Sequence, residues 1–243
     1  MKPKEYAARI LPALRVHADP VRAERELRYF KGAIRNIGVT APNIRLVERE
    51  LFAAVRGRWG PDEAVELCEI VLPERLFEPT SVALITLARF AKRLGPDAFD
   101  RCQAWLARDY CDNWASTDTL CPNVVGPIVD QHPTLLPRLV AWARDSNPWL
   151  RRGASVSLVK LAGKGKRLDT AYAVAEQLLS ERDDLVQKGA GWMLRECGKA
   201  DTARLESWLL QWGPQVPRTT LRYAIEKFPD RERRRLLTGT KDS

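Results

Sequence analysis

The stretch DNWASTDTLCP, residues 112–122, places Trp114 and Asp118 four positions apart. On a helix four positions is about one turn, so an indole and a carboxylate would share one side. Asn113 is placed to cap that helix, with Trp114 near its first position and Asp118 one turn inside. Two later stretches carry comparable oddities. In NPWLRRGASVSLVK (147–160) Asn147 caps, Pro148 occupies the first turn, and Arg152 and Lys160 follow on a shared face. In QKGAGWMLREC (187–197) Trp192 falls where the matching stretch 150–164 has Val156, and Arg195 follows it.

Each of these residues has an ordinary role open to it. Eight tryptophans in a helical protein are mostly core anchors, an Asp near a helix N-terminus gains from the dipole, and arginines usually coat a wet face. The combination points further. Two indoles, one carboxylate and several cations projected onto one concavity would give a site with two aromatic walls, a single acid, and charge to hold a phosphate backbone. One carboxylate without a partner acid is poor equipment for ordinary glycoside hydrolysis, where a second carboxyl protonates the leaving group. It suffices when the leaving group is already cationic, as in an N3- or N7-alkylated purine. The barrier then lies in positive charge developing on the deoxyribose, which an adjacent carboxylate stabilises while orienting water toward C1′. Aromatic faces also attract a cationic base.

The elements that must position these groups are helices. Apolar residues recur at i, i+3, i+4 and i+7 in segments of about 10 to 18 residues, and strand-like alternation is almost absent. Breaks at Gly38–Pro42, Gly60-Pro61, Pro73, Gly95-Pro96, Pro122, Pro133, Pro148, Gly163–Lys166 and Gly213–Pro217 divide the chain into about twelve to fourteen helices. None is long enough to be a domain linker, so residues 1–243 are expected to form one domain.

The chain also matches itself. LRRGASVSLVKLAGK (150–164) aligns with VQKGAGWMLRECGK (186–199): a basic residue precedes Gly-Ala at 152–154 and again at 188–190, and each copy closes with Gly-Lys. VALITLARFAK (82–92) matches the first copy at about twice that offset. A period in the high thirties built of two helices is the signature of HEAT-like or armadillo-like solenoids, against the alternative of an ordinary helical bundle. The expectation is an all-α, right-handed solenoid of HEAT-like repeats whose inner helices line a concave basic face.

Lys plus Arg number 40 against 31 Asp plus Glu, a net charge of +9 with a pI near 9.5. Residues 122–243 hold most of the surplus, 21 basic against 14 acidic. Such a balance fits a polyanionic partner such as nucleic acid, or simply an Arg-rich soluble protein. Five cysteines with no CxxC spacing read as reduced intracellular thiols, not a disulfide frame or a zinc site. The N-terminal MKPKEYAARILPALR is broken by charge and proline before any signal-like apolar run, and no span of 18 apolar residues occurs. A cytoplasmic or nucleoid-associated protein is expected.

Taken together, LRYFKGAIRNIGV (27–39), NWASTDTLCPNVVGPIVDQHP (113–133), WARDSNPWLRRGASVSLVK (142–160) and QKGAGWMLRE (187–196) resemble the AlkD-type DNA alkylation repair glycosylases, which are built from HEAT-like repeats. The resemblance implies excision of cationic alkylpurines, chiefly N3-methyladenine and N7-methylguanine, from duplex DNA in base excision repair. It also implies that the lesion is not flipped into a pocket, unlike the usual extrusion mode. Asp118 would be the catalytic carboxylate, and Trp114 and Trp192 the aromatic walls against the lesion's sugar and backbone. Arg152 would clamp a phosphate, Lys160 and Arg195 would support the same backbone, and Tyr29 in RYFK matches an aromatic position near the lesion. No metal, organic cofactor or protein partner is implied, and a monomer is expected. The chain departs from the family at Asn113, where an aromatic often precedes the key Trp, and at Ala115-Ser116. Arg218 and Arg222, at the start of a repeat helix, and the RERRR run (231–235) are further phosphate candidates. A non-catalytic DNA-structure binder on the same scaffold and an armadillo-like protein-interaction scaffold are the other functions this sequence accommodates.

Overall fold

A computed structural model describes residues 1–30 and 34–240; residues 31–33 of the LRYFKGAIRNIGV element lie outside it. The described residues are helical throughout, and strand geometry is confined to one isolated bridge between Arg35 and Leu76. None of the helices described is long and apolar enough to cross a membrane. The chain divides into two compact units, Met1–Ile128 and Val129–Ser243.

The first unit contains α1 (Pro3–Arg15), α2 (Pro20–Tyr29), α3 (Ala41–Ala53), α4 (Pro61–Val71), α5 (Phe77–Ala88), α6 (Pro96–Ala107) and α7 (Trp114–Leu120). Its centre is α5, whose sequence FEPTSVALITLA is apolar nearly all round, as suits a helix enclosed by neighbours. Helices α3, α4 and α7 pack on it, and α1 joins them through Tyr6, Ile10 and Leu14, spaced four apart on one stripe. Two buried carboxylates tie the layers. Glu48 of α3 takes Arg89 Nε and Nη2 at 2.6 Å each and the Thr86 hydroxyl at 3.3 Å. Glu78, fully buried in the first turn of α5, accepts the backbone N–H of Ile37 (2.9 and 3.1 Å) and of Val39 (3.1 Å). Burial pushes its carboxyl above the usual range, against the opposing pull of those N–H groups.

Between those two N–H groups lies Gly38, with φ +79°. A Cβ there would stand 2.0 Å from the Asp19 carbonyl oxygen and 2.8 Å from the Ala23 nitrogen, so only glycine fits. This contact seats the N-terminus of α2, where Asp19 caps by accepting from Val21 and Arg22.

Pro122 does not end a helix as the sequence suggests. The chain runs from α7 through a π-helical turn, Cys121–Val125, into α8 (Gly126–Gln131). Proline lacks the N–H for an i→i−4 bond, and the wider turn accommodates it: Gly126 N–H donates to the Cys121 carbonyl, five residues back, and Asn123 Nδ2 donates to Thr119 O at 2.6 Å.

The second unit contains α9 (Leu136–Trp142), α10 (Pro148–Val156), α11 (Val159–Ala162), α12 (Leu168–Gln177), α13 (Asp184–Ala200), α14 (Thr202–Trp212), α15 (Arg218–Ala224) and α16 (Asp230–Gly239). Helix α13 is its axis, contacting α10, α11, α12, α14 and α15. Small residues make these approaches possible. A Cβ on Gly189 would meet Ser155 Oγ at 3.1 Å, one on Gly191 would meet Tyr223 Cβ at 2.4 Å, and one on Gly198 would meet Leu205 Cδ2 at 2.5 Å. The recurring Gly and Ala positions of the self-match are thus packing positions. The matched residues Ala83, Leu87, Phe90 and Ala91 are buried, as are Ala154, Leu158, Leu161 and Ala162.

Candidate functional site

Helix α7 forms as its sequence dictates. Asn113 Oδ1 accepts the Ser116 N–H at 2.9 Å, capping the first turn, while its Nδ2 donates to Ser116 Oγ at 3.0 Å. The Thr117 hydroxyl donates back to the Cys111 carbonyl at 3.2 Å, and Asp112 forms an ion pair with Arg75. The helix turns Ser116, Thr117 and Leu120 into the core. Its other side, Trp114, Ala115, Asp118 and Thr119, lines a cleft of about 660 Å³. The indole and the carboxylate of the 112–122 stretch therefore do share one side, and that side faces a cavity.

Tyr29 reaches the same cleft from the end of α2, 69% exposed, its ring 5.9 Å from Trp114 and nearly perpendicular to it. Two aromatics that the sequence reading did not single out complete the group. Phe30 stacks on Trp114 with ring centroids 5.1 Å apart and planes 10° from parallel, and Phe77 sits 5.6 Å behind Phe30. Phe77 is fixed at the start of α5 by its N–H, which donates to the Arg35 carbonyl at 2.8 Å. A second carboxylate, Glu26, also lines the cleft, but Arg22 holds it at 2.7 Å and Asn36 Nδ2 donates to it at 3.2 Å. Arg25 and Arg45 line the cleft as well. Adjacency to Tyr29 was the only sequence cue for Phe30. Arg25 shares a side of α2 with Tyr29, one turn away, while Phe77 and Arg45 reach the cleft through tertiary packing and left no local signature.

The remaining candidates belong to the second unit. Arg152 is buried, 5% exposed, and donates to the Leu185 carbonyl of α13, with its aliphatic stem against Gly189. Lys160 is exposed on α11. The shared face expected for these two does not form, because α10 ends at Val156 and the chain restarts as α11 at Val159, so the eight-residue spacing no longer counts turns of one helix. On α13, Trp192 is half-buried, and Arg195, three residues on, forms ion pairs with Glu226 and with Glu196 at 3.7 Å. Arg218 donates to Thr240 and to the Leu237 carbonyl, closing the end of α16, and Arg222 is exposed. Within RERRR, Arg233 pairs with Asp230, and Arg235 with Glu206 and Glu232.

Such a cleft, with one acid and an indole on one helix among other aromatic rings, has the inventory for receiving a cationic, planar group beside an electron-poor centre. No curated protein sequence matches the chain. Among solved structures, one described as a predicted DNA alkylation repair enzyme from Enterococcus faecalis superposes with a TM-score of 0.76 at 19% identity, over 88% of this chain and 98% of that one. The Pseudomonas fluorescens alkylpurine DNA glycosylase AlkC, bound to DNA containing an abasic site analogue, superposes with a TM-score of 0.52 at 14% identity. That alignment takes in 98% of this chain and 65% of the other. The family model of the DNA alkylation repair enzymes matches residues 10–228. The chain belongs to the DNA alkylation repair enzyme family.

Proposed function

We propose that the protein is an alkylpurine DNA glycosylase that hydrolyses the N-glycosidic bond of cationic purines, N3-methyladenine and N7-methylguanine, in duplex DNA without flipping the base. The observation that carries this reading is the placement of Asp118 and Trp114 on the cleft side of α7, with Tyr29 against the indole. Glu26, the other carboxylate of the cleft, is engaged by Arg22, an arrangement unsuited to a general acid and consistent with a leaving group that needs no proton. Asp118 then acts through its field. As the C1′–N bond lengthens, positive charge moves from the base to the sugar, where a carboxylate in a low-dielectric cleft stabilises it and aligns water for attack at C1′. Trp114 and Tyr29 supply π-faces for the sugar and the charged base.

In this reading residues 1–243 work as one right-handed solenoid of HEAT-like repeats gripping the duplex on a basic concave face. Trp192, Arg152, Lys160 and Arg195 serve the lesion-bearing backbone. Arg152 also holds α10 to α13, so its contribution to binding is in part the placement of that backbone contact. Incubation with a methylated duplex, followed by assay for free purines, tests the proposal. Liberated N3-methyladenine and N7-methylguanine are expected. Tight duplex binding with no released base would instead make the protein a non-catalytic DNA binder.

A further inference from the structure

The cleft beside Asp118 holds two cations that no acid neutralises. Arg25 lies on the exposed side of α2 and Arg45 on the exposed side of α3, and both line the cavity that Trp114 and Asp118 line. Among the described residues neither has a hydrogen-bond or ion-pair partner, whereas their neighbour Arg22 is paired with Glu26 at 2.7 Å. Some arginines elsewhere in this chain are taken up by acids, as Arg89 is by Glu48, Arg151 by Glu181, Arg204 by Asp169 and Arg235 by Glu206; what sets Arg25 and Arg45 apart from other exposed cations is that both line the aromatic cleft. Unneutralised guanidinium groups on two different helices around an aromatic cleft have a chemistry of their own. They offer planar, bidentate donors to a phosphodiester, and they draw the strand to the carboxylate without cancelling it through direct pairing.

We propose that Arg25 and Arg45 form a phosphate-holding pair on the α2 and α3 walls of the cleft, engaging backbone phosphates of the strand that enters it. The assignment rests on the DNA reading above and extends it to residues on the N-terminal helices. Helix α2 thereby carries both an aromatic, Tyr29, and a phosphate ligand, Arg25, one turn apart. Each phosphate neutralised contributes about 0.9 to the slope of log affinity against log salt.

The test is a salt titration of binding to a duplex containing one stable abasic-site analogue, with wild type and the Arg25→Gln/Arg45→Gln double variant. Both side chains are exposed, so the melting temperature is expected to stay unchanged while the slope falls by about 2 and affinity near physiological salt drops about tenfold or more. Arg25→Lys/Arg45→Lys is expected to keep the slope. An unchanged slope in the Gln variant overturns the pair. So does an equal loss in Arg56→Gln/Arg58→Gln, exposed cations beyond the end of α3 that do not line the cleft, since the effect would then be general surface charge. Inorganic phosphate at matched ionic strength is expected not to displace the duplex; full displacement would reassign the arginines to a free anion and overturn the strand contact. Base release by wild type is measured in parallel. No release together with a lowered slope sinks the glycosylase reading and keeps the pair, release together with an unchanged slope does the reverse, and absence of duplex binding removes both.

Discussion

Substituting alanine for Gly38 and, separately, for Gly57 isolates the contact that seats α2 on the cleft. Both glycines have left-handed backbone, φ +79° and +76°. A Cβ in that region costs about 1–2 kcal/mol whatever its surroundings. At Gly57 nothing lies within 4 Å of the added carbon, so the loss should stop there. At Gly38 the carbon would stand 2.0 Å from the Asp19 carbonyl oxygen, which already accepts the Ala23 N–H. The 37–39 segment and the start of α2 must separate. That move strains the Asp19 N–H to Ile37 carbonyl bond of 3.1 Å and the two N–H groups that Glu78 holds; weakened without breaking, the three together should give up about 2 of the roughly 3 kcal/mol that breaking them would cost. Gly38→Ala should therefore lose about 2 kcal/mol beyond Gly57→Ala. Thermal melts followed by circular dichroism would show drops of roughly 3 °C for Gly57→Ala and 9 °C for Gly38→Ala. Because α2 carries Arg25 and Tyr29, duplex binding should weaken in Gly38→Ala alone. Equal melting temperatures for the two variants would refute the reasoning, since they would mean that Asp19 is not where a Cβ has to go.

Arg152→Ala should cost about 2–4 kcal/mol in urea unfolding, because it removes a charged donor's bond to the Leu185 carbonyl and opens space against Gly189; unfolding at the wild-type midpoint would show that the guanidinium does not brace α10 on α13. Trp114→Ala should impair base release more than Trp114→Phe, which keeps a ring for Phe30 and Tyr29 to pack on; equal activities would take the ring contacts out of the mechanism. Burial works to raise the Asp130 carboxyl, but Lys166 and Arg167 outweigh it and hold it below its ordinary value of 3.8. A depressed carboxyl stabilises the fold above its unfolded value and stops doing so as pH falls through the folded one. The stability gap between wild type and Asp130→Asn should therefore be full near neutrality and close below about pH 4, and a gap that widens in acid would contradict the pairing.

How much of this was legible in the sequence depends on the range of the interaction. Caps were, because they are local: Asn113 and Asn147 bond backbone N–H groups two or three residues ahead. So was the sidedness of α7, which follows from the helical period alone. Pro122 departs from the rule that proline stops a helix because that rule assumes that the turn cannot widen, and here Asn123 and Gly126 supply bonds that let it. The break between α10 and α11 has no Gly or Pro to announce it; the Ser157 hydroxyl donates to the Gly153 carbonyl at 2.7 Å where the helix ends, so Arg152 and Lys160 parted company unseen. The Gly-Lys pairs that close the two matching copies fall at helix ends, Gly163 capping α11 and Lys199 in the last turn of α13, and Gly198 lets Leu205 approach. Arg25 was within reach of the helical period, one turn before Tyr29 on α2, whereas Phe77 and Arg45 entered the cleft by packing across tens of residues, which no spacing rule reports.

The role of Asp118 is decided by single-turnover release of N7-methylguanine from a methylated duplex by wild type and Asp118→Asn. Asp118→Asn should lose at least about tenfold in release and retain duplex affinity, because the amide keeps the shape and removes the charge that the developing sugar cation requires. Release by Asp118→Asn at the wild-type rate would contradict that role.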